Sequence, residues 1–414
     1  MRAARSEPAA VTSPPAQARW AVSAVFFVNG AVLASWVAHI PAVKAQHGLG
    51  NDHLGLVLLS MAAGAVLALP LAAWLITRWG SRRITSVAAV GFCLTLPLPV
   101  VAPTTWRVAA ALGLLGALNA LLDVSMNAQA VAVEDRYQRP IMSTFHALFS
   151  VGGVAGALIA SASMAGGLGS AWHVALVTGT SVAVLGAALR WLLPSSSTAA
   201  PAGPVFVWPP TALLSLGLLT FCGLLVESAM GDWSAVYLRD ALGTTASVAA
   251  AGFAAFSVTM AAGRFGGSCL ADRLGPHALL RWSGALAAGG LAAALLLASP
   301  WAALVGFGLV GLGLANVIPI LFSSAGRVPG VPAGTALAAI ATTGYGGYLA
   351  GPPLIGFAAG LTGLPAALGI VAACCGVIAV GAGALAASDA PSCQRDDRSG
   401  ISKLPTGARS AAER

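Results

Sequence analysis

Charge is scarce in this chain. Asp, Glu, Lys and Arg make up 8% of its residues, against roughly 25% in soluble proteins, while 57% are hydrophobic and the mean hydropathy is +0.85. That balance excludes a soluble globular fold and places the chain in a lipid bilayer. Cysteine offers no scaffold: Cys93, Cys222, Cys269, Cys374 and Cys375 fall within apolar runs and Cys393 in the tail, so the first five read as small buried hydrophobes and no disulfide framework is implied. Aromatics are only 7%, which argues against an apolar, aromatic pocket for lipophilic compounds. Also missing are the nucleophile elbow G-x-S-x-G, the zinc motif H-E-x-x-H, a phosphate loop and any soluble domain. Enzymatic catalysis, a metal site and a cofactor are therefore not expected.

The net charge of +8 raises nucleic acid as a partner, but the basic residues form no patch. They segregate by loop. With the N-terminus inside, 17 Lys and Arg lie on one side and three (Lys44, Arg107, Arg239) on the other, with Arg264 inside a span. By the positive-inside rule both termini are expected in the cytoplasm, so the number of spans is even. The first run, Trp20 to Val43, is too long for a signal peptide, contains Asn29, and is followed at once by another run.

Apolar runs of about 20 residues suffice to cross the bilayer as helices. Read against their breakers, they predict spans near 20–43, 54–77, 84–102, 106–133, 141–165 and 170–193, then 210–238, 247–271, 278–299, 301–324, 333–358 and 364–386. The expected organisation is all-α: a cytoplasmic tail (1–19), a six-helix bundle (20–193), a Ser/Pro/Ala/Gly linker (194–209), a second six-helix bundle (210–387) and a polar, disordered tail (388–414). The bundles read as parallel repeats. Gly80 and Gly275 stand 195 residues apart, as do Gly152 and Gly347, and Gly156 and Gly351; Trp36 and Trp233 are 197 apart. Small residues four apart, as in Gly152/Gly156, let helices pack closely. Pro70, Pro97, Pro99, Pro319, Pro352 and Pro353 are sites for kinks, and such sites can act as hinges.

Ionisable groups inside spans are costly and so are candidates for function. Asp123 is the sharpest, flanked at four-residue spacing by Asn119 and Asn127, so the three share one polar stripe. Two readings stay open for it: substrate binding with proton exchange, or an interhelical hydrogen bond paired with Arg264. Glu227 lies near the middle of the seventh span; Asp232 and Trp233 lie nearer its outer end, where an interfacial role competes with a substrate contact. Arg264 can offset a buried carboxylate or bind an anion. His146 can relay protons or simply pack, and Asn29 and Asn316 add amides to the lining. At the repeated loop, Arg78, Gly80, Arg82 and Arg83 in the first copy and Asp272, Arg273 and Gly275 in the second can hold one face closed until the halves rock apart, or can serve topology alone.

At this point the residues resemble a known family. Twelve spans in two parallel repeats look like the major facilitator superfamily, over about residues 20–388. Its loop signature, G-x-x-x-D-R-x-G-R followed by Arg or Lys, is matched by LADRLG (Leu270–Gly275); in the first copy Thr77 stands where the acid belongs and Ala73 where the glycine belongs. Within it the stretches SWVAHIPAVK (Ser35–Lys44), LLDVSMNAQAVAVE (Leu121–Glu134) and RPIMSTFHALFSVGG (Arg139–Gly153) resemble the fucose permease-like branch, especially its YbjJ-like bacterial proteins. In fucose permease an acid on the fourth helix, followed four residues later by asparagine, is implicated in proton-coupled sugar uptake, which assigns that role to Asp123. The permease also has an acid in its first helix, and this chain has none; Glu227 would have to supply the second titrating group.

The resemblance implies a monomeric secondary transporter in the bacterial inner membrane. It would work by alternating access about a cavity lined by spans one, four, seven and ten, draw on a proton gradient, and carry a sugar-like or other polar metabolite. Export of drugs or of lipophilic or cationic metabolites is the alternative reading, and a non-transporting membrane sensor a remote one.

Overall fold

A computed structural model describes residues 15–137, 141–194 and 213–383. The expected linker beyond Pro194, both tails beyond these limits, Arg139 and Cys393 lie outside the described residues. Within them the chain is helical: α1 (Pro15–Gln46), α2 (Asn51–Trp79), α3 (Ser81–Thr95), α4 (Pro97–Val101), α5 (Thr105–Tyr137), α6 (Met142–Ala165), α7 (Ser170–Ala188), α8 (Leu214–Val236), α9 (Ala246–Leu274), α10 (Pro276–Leu297), α11 (Pro300–Leu314), α12 (Val317–Ala325), α13 (Ala333–Thr362) and α14 (Leu364–Gly381). Two spans are each broken into two helices. α3 gives way to α4 at Pro97, and α11 to α12 at Asn316, three residues before Pro319. A proline cannot donate to the helical ladder, so breaks at or near it are expected.

Eleven spans among the described residues are long and apolar enough to cross a membrane. The twelfth, α13, has the length, 30 residues, but Gly, Thr, Tyr and the Pro352–Pro353 pair dilute its hydropathy. Exposed tryptophans mark both helix ends: Trp106, Trp172 and Trp301 open α5, α7 and α11, while Trp79 closes α2 and Trp282 lies in the first turns of α10. Two aromatic levels of this kind sit at the two headgroup regions of a bilayer.

The repeat extends to the backbone. Gly80 and Gly275 both hold positive φ, 82° and 77°, and each N–H closes the preceding helix on an equivalent carbonyl, Ile76 at 2.8 Å and Ala271 at 2.9 Å. Only glycine takes this conformation without strain, which is why the loop keeps glycine while Thr77 and Asp272 diverge. Packing repeats as well. α1 lies on α6 and α2 on α5, as α8 lies on α13 and α9 on α11. A Cβ on Gly116 would collide with the Met61 carbonyl, and one on Gly311 with the Phe256 carbonyl, both pairs being 195 apart; Gly152 against Phe27 and Gly347 against Phe221 repeat the pattern. Helices in lipid associate by such close contact, because the surrounding tails are as apolar as their side chains.

The halves meet along two seams, α2 with α13 and α6 with α9. Near the face opposite Gly80 and Gly275, Gly55 stacks on Gly356 and Pro352, and alanines 38, 160 and 250 from α1, α6 and α9 form one small cluster. Ser161 Oγ donates to the Ser247 carbonyl across the second seam at 2.8 Å. Lys44, at the end of α1, pairs with Asp240, in the π-helical turn (Tyr237–Ala241) that continues α8, and the two are 196 residues apart. That face is shut.

Candidate functional site

On the Gly80/Gly275 face the halves part around a cavity of about 920 Å³. Its mouth is marked by Asp272, Pro276 and Arg327, all exposed, and it runs inward past Asn316 and His146 to Glu227 and Arg264. α6 supplies His146 and Ser150, α8 Glu227, α9 Arg264 and Asp272, and α12 with its flanks Asn316 and Arg327. The spans that line it are thus the fifth, seventh, eighth, ninth and tenth. Of the expected spans one, four, seven and ten, the seventh and tenth line this cavity and the first, through Gly30 to Val37 of α1, borders the smaller chamber behind it; the fourth lines neither, because α6 and not α5 carries the first half's wall here.

Glu227 Oε1 lies 3.8 Å from Arg264 Nη2, and the side chains are 33% and 32% exposed. The pair is loose and about one-third exposed. In water an ion pair of this geometry contributes little; at mid-membrane depth each charge needs the other, because neither is desolvated cheaply alone. Asn316 Nδ2 donates to the Gly263 carbonyl at 3.2 Å, one residue before Arg264, so its amide steadies α9 where the guanidinium leaves it. His146 packs edge-on against Phe26, with centroids 5.3 Å apart, and remains exposed to the cavity.

Beyond the Glu227–Arg264 pair lies a second, smaller chamber of about 140 Å³. Ser150, Glu227 and Arg264 line both spaces, so the ion pair stands in their common wall. The chamber continues toward the closed face, between Trp36, Phe149, Phe253, Phe256 and Tyr348, and Asp232 borders it with Ser228 Oγ 3.3 Å from Asp232 Oδ2.

The Asn119–Asp123–Asn127 stripe lines neither space. Asn127 Nδ2 donates to the Asp123 carbonyl at 2.8 Å and to Oδ1 at 3.2 Å, and the carboxylate is exposed. Arg264 pairs with Glu227 and not with Asp123, which removes the partner on which the interhelical reading of Asp123 drew. Asn119 Oδ1 is buried without a hydrogen-bond partner, and Asn29, 2% exposed, reaches only the Met126 sulfur at 3.8 Å.

Of the loop residues, Arg82 Nη2 donates to the Arg190 carbonyl at 2.9 Å, tying α3 to the end of α7 within the first half. Arg78, Arg83 and Arg273 are exposed, and Asp272 makes no ion pair among the described residues.

Sequence reading left three features out of the candidate site: the chamber behind Asp232, the cavity position of Arg327, and the Lys44–Asp240 bridge. The last had a signal, since its two residues are separated by the repeat length. The chamber had none, because its walls come from both halves.

Comparison with known proteins agrees with this architecture. The sequence pattern of the Major Facilitator Superfamily matches residues 20–345. An uncharacterised MFS-type transporter of Yersinia pestis is 41% identical over 347 residues, 84% of this chain and 90% of its own length. The membrane protein MosC of Rhizobium meliloti is 36% identical over 352 residues, 84% of this chain and 85% of its own. The crystal structure of a mutant of the nucleoside transporter NupG superposes with a TM-score of 0.70 at 13% identity, covering 89% of this chain and 99% of the other, which is a likeness of fold. A chain of helices that crosses the bilayer as two repeated bundles, with a solute-sized cavity between them, has the architecture of a membrane transporter, and this one belongs to the Major Facilitator Superfamily.

Proposed function

We propose that the protein is a proton-coupled carrier of a small polar solute, working by alternating access, with the Gly80/Gly275 face and both termini in the cytoplasm of a bacterial cell and the protein acting as a monomer in the inner membrane. The observation that carries this reading is the asymmetry of the seam: a cavity of about 920 Å³ reaches the Glu227–Arg264 pair from one face, while the other face is held by Lys44–Asp240 and by glycine and alanine contacts. A rocking carrier caught open to one side has this shape. Serine, asparagine and charged groups in the lining favour a solute that can reciprocate hydrogen bonds. Glu227 and Asp123 are the proton-exchanging groups in this proposal, since both are carboxylates within spans and Glu227 borders the cavity.

The test is reconstitution in liposomes with an imposed pH gradient and a screen of solutes for proton-linked flux. Asp123→Asn and Glu227→Gln are each expected to abolish the response of flux to the gradient. If both variants carry an identified solute with unchanged pH dependence, the proton role is wrong; tight binding with no flux under any gradient would make the protein a sensor.

A further inference from the structure

The smaller chamber holds an uneven set of charges. Glu227, Asp232 and Arg264 border it, and Arg264 lies against Glu227, so Asp232 is left with a single serine hydroxyl and no cation among the described residues. Tyr348 lines the same chamber. A net negative charge enclosed at this depth is costly unless something positive joins it. The rest of the wall suits a cation. Trp36, Phe253 and Phe256 present aromatic surface, with the two phenylalanine rings 5.9 Å apart, and Met61 and Met260 add polarisable sulfur. Aromatic faces attract ammonium groups most strongly where water is excluded, and Gly231 opposite Phe253 leaves the space beside Asp232 unfilled.

We propose that this chamber is the specificity site of the carrier, and that it takes a compact organic monocation whose ammonium group sits on the Asp232 carboxylate with its carbon body against the aromatic wall. A neutral, sugar-like solute would bring no cation to Asp232, and an anion would meet its carboxylate. The inference rests on the transporter reading and narrows its solute class from polar metabolites to amine-bearing ones.

The experiment is calorimetric titration of the purified full-length protein in detergent with a series of primary monoamines, butylamine, cyclohexylamine and phenethylamine, each against the alcohol of the same skeleton. At least one amine is expected to bind about tenfold or more tightly than its alcohol, a difference of about 1.4 kcal/mol. Asp232→Asn should bring that ratio to about one, and Asp232→Glu, which keeps the charge, should retain the preference. Equal binding of amine and alcohol, no saturation by any amine at millimolar concentration, or an unchanged preference in Asp232→Asn each overturns the proposal; loss of preference in both variants makes Asp232 structural and overturns it too. The two readings fail separately. Proton-linked flux of a neutral solute without any amine preference would sink this inference and leave the carrier intact, whereas an Asp232-dependent amine preference without flux would do the reverse.

Discussion

At the scale of single residues, the few charges inside the spans are set apart by what faces them. Arg264 and Glu227 stand 3.8 Å apart and each about one-third exposed, so losing one partner costs well below the roughly 3–5 kcal/mol of a fully buried pair. Arg264→Gln is therefore expected to lower the unfolding temperature only slightly while abolishing flux, measured by thermal unfolding of the purified protein beside the liposome assay. A large fall in unfolding temperature with flux retained in the surviving protein would make the pair a structural tie. Sequence alone named both residues as costly occupants of a membrane but left the partner of Arg264 open. Spacing along one helix says which side chains share a face, as in the Asn119–Asp123–Asn127 stripe, and is silent on which face of another helix comes to meet it.

Among the helices, glycine marks the crossings. Gly116 on Met61 and Gly311 on Phe256 leave no room for a methyl group. Gly116→Ala and Gly311→Ala should each destabilise the fold by about 1–3 kcal/mol, the usual range for overpacking a close contact. Gly179, with nothing near the position a Cβ would take, is the control and should tolerate alanine. Thermal unfolding of the three variants decides it; equal effects at all three positions would mean that helix propensity and not packing governs. The repeat of Gly152/Gly156 in Gly347/Gly351 was legible as spacing, but its strength differs between halves. A Cβ on Gly156 would strike the Ala31 backbone, whereas one on Gly351 would stand 3.1 Å from the Ser228 hydroxyl, a softer neighbour. The break in the tenth span at Asn316 was foreshadowed by Pro319, and the amide then bonds to α9 instead of lining the space alone.

For the whole molecule, the prediction concerns motion between halves. Ser161 and Ser247 meet across the α6–α9 seam on the shut face. In a cysteine-free background, Ser161→Cys with Ser247→Cys should cross-link on mild oxidation, stop flux, and recover it on reduction, because rocking must separate these positions. Unimpaired flux in the fully cross-linked protein would rule out alternating access about this seam. A complementary readout is the reactivity of Ser323→Cys, exposed on the cavity wall, toward a membrane-impermeant thiol reagent. It should fall when Lys44→Ala and Asp240→Ala, by removing the pairing across the shut face, shift the population toward the opposite opening.

Composition and periodicity alone determined that this chain lives in a bilayer, that it crosses as long helices, and that a unit of about 195 residues occurs twice. These follow from local chemistry: apolar runs, glycine where φ must be positive, charge segregated by loop. Tertiary structure decided which spans wall the cavity, that Arg264 turns to Glu227, and that Asp232 is left facing an aromatic chamber built by both halves. The reason is physical. A helix fixes its own backbone hydrogen bonds from within, but partners across a seam are chosen by how two bundles pack, and no residue carries that information by itself.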